Sequence, residues 1–306
     1  MSFKGYTYQV VMVRPASFRM NEQTAVNNYF QKSGDHLSEL TAAAQQEFDV
    51  FVDKLREAGV EVIVHQDDSL TDTPDAVFPN NWVSFHPKNK ACLYPMFAPN
   101  RRQERTPFLF KTLESAEIPI DVIHDWSTFE TQNQFLEGTG SLVLDRVHRI
   151  AYAAISNRTH PDLVQEFCST MNYESVVFSA FQSVDGRREA IYHTNVLMGL
   201  GPNFAVICLD TIDDAHERQR VENKLQTTGK QIIALSTEQM HQMAGNMICL
   251  HNQREWLLVM SARAFRSLTP HQKNLLQTHA KLVYSDLDTI ETLGGGSARC
   301  MITEVF

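Results

Sequence analysis

The chain has 306 residues, 43% of them apolar, which is enough to fold around a core of its own. Its net charge is −9 and it contains no run of Lys and Arg, which argues against a nucleic-acid or anionic-membrane surface. No apolar stretch approaches the roughly 20 residues that a membrane helix needs, and the N-terminal residues lack the apolar core and cleavage site of a signal peptide, so the expected location is the cytoplasm.

In chain order, YQVVMV near the N-terminus reads as a strand, and residues 42–58 read as a helix with Phe48, Val52 and Leu55 on one face, stopped by Gly59. EVIVHQ follows as a strand, then the acidic run Asp67 to Asp72, a solvated turn or an entrance loop, then Phe78-Pro79-Asn80-Asn81. Further helices are expected over 101–113, 161–171, 214–228 (stopped by Gly229) and 270–279, with strands SVVFSAF, QIIALS and REWLLVMS between them. The helix centres recur about every 55 to 60 residues, within the range of an internal repeat. With no low-complexity linker, five β-rich units with one helix each point to a single closed domain over residues 1–306. A doubly wound α/β sheet fits the same alternation. However, Gly138-Thr139-Gly140 and Gly199-Leu200-Gly201 are only fragments of GxGxxG, and nucleotide binding is not expected.

Of the five cysteines, Cys92, Cys168, Cys208 and Cys249 sit in apolar runs and read as small buried hydrophobes. Five cysteines, an odd number and widely spread, do not resemble a disulfide framework, and none has zinc-ligand spacing. Cys300 differs. It ends Gly294-Gly295-Gly296-Ser297-Ala298-Arg299-Cys300, where the glycines let backbone approach a substrate and the neighbouring Arg299 would favour a thiolate. Two other segments carry matching chemistry. Glu137 lies on the glycine-rich turn leading into LVLD, and His193 interrupts the apolar strand-like run Ile191-Tyr192-His193-Thr194-Asn195. A thiol nucleophile needs a proton relay, which histidine supplies near neutrality, and a carboxylate to orient it. Each residue has an ordinary alternative: a turn cap for Glu137, a core histidine, a buried thiol. Spacing alone does not bring the three together.

GGGSARCM, His193-Thr194-Asn195, Leu136-Glu137-Gly138 and Phe78-Pro79-Asn80-Asn81, in that family's order, resemble the guanidine-modifying (pentein) superfamily, and within it the citrulline-utilisation hydrolases. The resemblance implies an α/β fold, a pentein-type five-bladed α/β propeller with pseudo-fivefold repeats of ββαβ units. It implies Cys300 as nucleophile, His193 as general acid/base and Glu137 as the carboxylate orienting it. It further implies Arg158, in Ser156-Asn157-Arg158-Thr159, as the clamp for a substrate α-carboxylate, and Phe78 as a wall of the slot. No metal or organic cofactor is required. The partner is a small amino-acid substrate, with no nucleic acid and no membrane, and a homo-oligomer is compatible with the sequence.

Arginine deiminases carry aspartates where this chain is expected to have Asn81 and Asn195. A guanidinium offers only N–H donors, whereas a ureido group adds a carbonyl acceptor that an amide can serve and a buried carboxylate would repel. Strand alternation would let only one of Asn80 and Asn81 face the pocket. The resemblance and this exchange together imply hydrolysis of L-citrulline to ornithine, ammonia and carbon dioxide. Arginine hydrolysis and amidino transfer remain as alternatives on the same scaffold. A non-catalytic binding protein of the same fold would lack the cysteine–histidine–carboxylate set, and a papain-like protease would carry its cysteine near the N-terminus.

Overall fold

The computed structural model describes residues 3–31, 37–68 and 70–306. The chain runs through β1 (Gln9–Arg14), α1 (Glu22–Ala25), α2 (Leu37–Glu57), β2 (Glu61–Gln66), β3 (Val83–His86), β4 (Lys90–Leu93), α3 (Pro107–Ser115) and β5 (Val122–Asp125). It continues through α4 (Gly138–Ser141), β6 (Val143–Asp145), β7 (Ile150–Ile155), α5 (Pro161–Met171), β8 (Glu174–Ser179) and the hairpin β9 (Phe181–Val184) and β10 (Arg187–Ala190). Then come α6 (Thr194–Leu197), β11 (Met198–Leu200), β12 (Phe204–Ile207), α7 (Ala215–Thr227), β13 (Gln231–Ala234), α8 (Thr237–His241), β14 (Ile248–His251) and β15 (Trp256–Ser261). The last elements are α9 (Ala262–Ser267), α10 (Pro270–Gln277), β16 (Lys281–Ser285), α11 (Asp288–Gly294) and β17 (Thr303–Val305).

The helices begin and end where local chemistry directs. Asp214 accepts from the Glu217 N–H at 2.8 Å to cap α7, and Thr269 with Gln272 closes a capping box on α10. Helix α5 has Pro161 in its first turn and Asn172 in the left-handed region at its end. The single helix expected over 101–113 is instead a 3-10 turn over Pro99–Glu104 followed by α3, because Thr106 precedes a proline and is held extended at ψ 149°.

Among the described residues one pairing scheme recurs in five three-stranded sheets. In each, the middle strand pairs antiparallel with one neighbour and parallel with the other: β17-β1-β2, β3-β4-β5, β6-β7-β8, β11-β12-β13 and β14-β15-β16. The parallel step needs a crossover, and α2, α3, α5, α7 and the α9–α10 pair supply it. The result is a mixed α/β fold, not one continuous doubly wound sheet. Strand β17 lies against β3, and β11 against both β6 and β14. The apolar faces of sheets and crossover helices interlock; Phe48, Phe51 and Leu55 of α2, for example, are fully buried with Val10 and Met12 of β1.

Each antiparallel edge strand (β3, β6, β11, β14, β17) is entered from a short turn. The five turns are Pro79–Asn81, α4, α6, residues 243–247 and residues 297–301. This repetition positions the site. The acidic run expected as a solvated turn or entrance loop includes Ser69, which lies outside the described residues. Of its neighbours, Asp67 accepts from Thr73 Oγ1 at 3.1 Å and Asp72 pairs with Arg19 at 2.7 Å.

Candidate active site

The first turn is a 3-10 helix, not a strand, so the asparagines do not alternate between two faces. Asn81 lines the cleft, its Oδ1 accepting from Arg101 Nη1 at 2.7 Å, while Asn80 turns towards Thr139 Oγ1 at 3.3 Å. The second turn carries Glu137. Gly138 follows it at φ +47°, and a Cβ there would stand 2.3 Å from the Asn80 carbonyl oxygen. Only glycine lets the two turns meet. A Cβ on Gly140 would stand 2.8 Å from His193 Nδ1, so that residue too must lack a side chain.

His193 does not sit in a strand. Residues 191–193 are irregular and Thr194 opens α6, where Thr194 Oγ1 donates to Ser141 O at 2.6 Å and ties the second turn to the third. This places His193 Nε2 2.8 Å from Glu137 Oε2, with both side chains almost fully buried. Glu137 Oε1 accepts from the Phe97 N–H at 3.0 Å, and Arg158 Nη1 stands 3.5 Å from Oε2. Burial works to raise the Glu137 carboxyl, but Arg158 and the hydrogen bond from His193 outweigh it and hold it at about 2. Burial likewise dominates at His193, and against the pull of Glu137 it lowers the imidazole to about 4. At neutral pH the pair is therefore a carboxylate and a neutral ring. Nε2–H donates to Glu137, which leaves Nδ1 as the acceptor for proton exchange.

Cys300 lies on the fifth turn, past α11. Gly295 ends α11 in the left-handed region at φ +64°, and a Cβ on Gly294 or Gly296 would press into the Phe78 ring at 2.7 and 2.8 Å. The glycine run thus lets backbone lie flat on Phe78. Tyr192 Oη donates to Gly295 O at 2.6 Å, and Asn28 and Gln31 both donate to Gly294 O. Arg299 departs from expectation. Its guanidinium pairs with Glu304 at 3.0 Å and donates to Ile302 O, so the groups that touch Cys300 Sγ are two amides instead: Asn195 Nδ2 at 3.4 Å and Asn246 Nδ2 at 3.2 Å. The other four cysteines are buried, and burial pushes each thiol up, to about 12 for Cys92 and about 11 for Cys168 and Cys208.

These side chains enclose a narrow cleft lined by Phe78, Asn81, Arg158, His193 and Cys300, with Glu137 and Asn195 each one hydrogen bond behind. All seven residues singled out from sequence therefore converge. Five that line or support the cleft were not singled out: Asn28, Asp75, Arg101, Tyr192 and Asn246. Arg101 is buried, bonded bidentately to Glu104 at 2.8 and 2.9 Å and 3.7 Å from Asp75. Asp75 Oδ2 accepts from Asn21 Nδ2 and Thr24 Oγ1, while its buried Oδ1 has no partner among the described residues. Arg158 donates to Asn27 Oδ1 and Thr24 O, and its guanidinium lies 4.9 Å over the Tyr192 ring. Asp75 was legible as the one carboxylate close before Phe78, and Asn246 as the polar residue entering the fourth edge strand, where the other turns carry their functional groups. Among the described residues no three His, Cys, Asp or Glu side chains gather as a metal site, and no helix is long and apolar enough to cross a membrane.

Comparison with known proteins agrees with this fold. The N-terminal domain of ArgZ, a cyanobacterial arginine dihydrolase, solved with a covalently bound reaction intermediate, superposes with a TM-score of 0.73 at 16% identity over 97% of both chains. A cysteine-to-alanine variant of AgrE with L-arginine gives 0.75 at 16% identity, covering 97% of this chain and 40% of that one. A dimethylarginine dimethylaminohydrolase bearing an S-methyl-L-thiocitrulline adduct gives 0.62 at 14% identity, covering 98% and 99%. The chain thus spans about two fifths of full-length ArgZ and AgrE, the share in ArgZ being 39%. No curated protein sequence gives a significant match. The family model for N,N dimethylarginine dimethylhydrolase, eukaryotic, matches residues 14–306. The chain belongs to that family, within the pentein superfamily of guanidine-modifying proteins.

Proposed function

We propose that this chain is a cysteine-dependent hydrolase that cleaves a C–N bond in the head group of a free α-amino acid, with L-citrulline as substrate. The observation that carries the reading is the single cleft in which an amide-flanked thiol, Cys300, faces a histidine already oriented by a buried carboxylate. The five sheets would be the blades of one closed propeller over residues 1–306, a reading supported by their common pairing scheme and by the edge strands that lie against one another.

In this mechanism His193 takes the Cys300 thiol proton on Nδ1 as the sulfur attacks the ureido carbon and forms a C–S bond, and then gives that proton to the departing nitrogen as the C–N bond breaks. His193 then takes a proton from water, whose oxygen displaces the thiolate and gives a carbamate that loses carbon dioxide. Citrulline and one water yield ornithine, ammonia and carbon dioxide. Phe78 would wall the flat head, Arg158 would hold the α-carboxylate, and the unpartnered Asp75 Oδ1 would accept from the α-ammonium. The groups on the thiol are Asn195 and Asn246, and Asn81 lines the same cleft; all three are neutral, and Glu137 is already engaged with His193, Phe97 and Arg158. A neutral head therefore needs no further counter-charge, whereas a guanidinium does. Arginine hydrolysis is the second reading, favoured by the likeness to AgrE with L-arginine.

The deciding assay incubates the protein separately with L-citrulline and L-arginine and quantifies ornithine, citrulline and ammonia. Ornithine and ammonia from citrulline, with arginine inert, is the expected result; citrulline accumulating from arginine overturns the charge argument. Asn81→Asp tests the same point without touching the thiol and should move the ratio of kcat/KM for citrulline over arginine towards arginine by about tenfold or more. An unchanged ratio would remove Asn81 from substrate selection.

The pH dependence has a definite sign. Because the His193 ring is held neutral down to about 4, its acidic limb in kcat/KM should lie near pH 4 and not near 6.5. For stability, the unfolded chain takes up this proton first, so between about pH 6.5 and 4 His193 weakens the fold as pH falls, and Glu137 in turn loses its contribution progressively between about pH 4.5 and 2. A rate profile together with Tm against pH checks both.

A further inference from the structure

The Cys300 sulfur and two backbone groups meet at one side chain to which the proposed mechanism gives no step. Asn246 is buried, and its Nδ2 lies 3.2 Å from Cys300 Sγ and 3.1 Å from the Asn195 carbonyl oxygen, while its Oδ1 accepts from the Arg299 backbone N–H at 3.0 Å. A carbonyl oxygen only accepts and a backbone N–H only donates, so the amide cannot be turned round: the NH2 must face the sulfur. Gly245 presses the turn against α6, since a Cβ there would stand 2.2 Å from Val196 O. Asn246 is thus locked by its neighbours on every side.

Asn195 is held differently. Its Nδ2 is 3.4 Å from the sulfur, its buried Oδ1 has no partner among the described residues, and it borders a second, small cavity of about 40 Å³. The sulfur alone holds its amide, and the Oδ1 is left over for another donor. The charged and titratable groups around the cleft are His193, Glu137, Arg158, Arg101, Asp75 and Tyr192, and none of them hydrogen-bonds Sγ.

We infer that Asn246 is the standing hydrogen-bond donor to the Cys300 thiolate, a catalytic residue in contact with the reacting sulfur, and that Asn195 exchanges between the sulfur and the substrate head. A donor fixed on the sulfur favours the charged form, because the thiolate accepts a stronger bond than the thiol. The inference rests on Cys300 being the nucleophile.

The test is the rate of alkylation by iodoacetamide against pH, with the labelled residue located by mass spectrometry, in the wild-type chain and in Asn246→Ala, Asn246→Asp, Asn195→Ala and Cys300→Ala. Asn246→Ala should lower the rate at pH 7 by about tenfold or more and move the midpoint up by about one unit, with the rate at high pH retained. Asn246→Asp is nearly isosteric, keeps the acceptor for Arg299 N–H, and should raise the midpoint further by placing a carboxylate on the sulfur; it carries the test if the alanine variant does not fold. Asn195→Ala should move the midpoint less than half as far as Asn246→Ala. A wild-type profile in both Asn246 variants, or equal shifts from Asn195 and Asn246, overturns the inference. Failure of the nucleophile reading looks different: wild type and Cys300→Ala would then be labelled alike.

Discussion

Cys300→Ala should abolish turnover, lowering kcat by about 10^4-fold or more, while the protein folds and melts close to wild type. The size follows from the chemistry: without the sulfur no covalent intermediate forms, and the remaining groups can only bind and polarise the head group. The mild structural effect follows from the site. Only one sulfur is lost, and it lies beside backbone already fixed by Tyr192, Asn28 and Gln31 on the glycine run. No other cysteine can substitute, because Cys92, Cys168, Cys208 and Cys249 are buried with their thiols pushed up and none lines the cleft. The measurement pairs ornithine and ammonia release with Tm. Wild-type turnover in the variant would remove the nucleophile; loss of turnover with a collapsed Tm would call for Cys300→Ser, which restores the volume but not the nucleophile.

What sequence revealed of this site, and what it did not, divides along a physical line. Residue types that chemistry requires stood out: a cysteine after three glycines, a histidine among apolar residues, a carboxylate before Gly138. The crossover helices were also legible, and the one over 161–171 matches α5, because caps and apolar periodicity are local signals. The single helix expected over 101–113 broke at Pro107, a local signal that was available and outweighed by the apolar pattern. Asn246 and Asp75 were passed over for another reason. An asparagine in a turn is ordinary, and its meaning comes only from the sulfur that a different turn, 54 residues away, brings against it. Arg299 shows the converse. Adjacency in sequence suggested a charge beside the thiol, but successive side chains in a turn diverge, and the guanidinium reached Glu304 instead. The repetition of five short turns before five edge strands is the signal that links these cases, since it marks positions by topology where residue type is uninformative.

Glu137→Gln should lower kcat by about 10^3-fold and also change how the protein responds to substrate. The carboxylate has two duties. As an acceptor only, it forces the proton of His193 onto Nε2; a glutamine can accept or donate, so the ring is released to the wrong tautomer. As a buried anion, it also balances Arg158 at 3.5 Å, and removing one partner of a buried pair costs about 3–5 kcal/mol because the other charge is left uncompensated. Free variant should therefore melt well below wild type. Citrulline carries a carboxylate to the same guanidinium, so it should raise the Tm of Glu137→Gln by more than it raises that of wild type, even though turnover is nearly lost. Differential scanning fluorimetry with and without citrulline separates the two duties. If citrulline stabilises both proteins equally, the α-carboxylate is bound elsewhere and the role given to Arg158 fails. If kcat survives, His193 needs no carboxylate to set its tautomer and the proton relay must be redrawn.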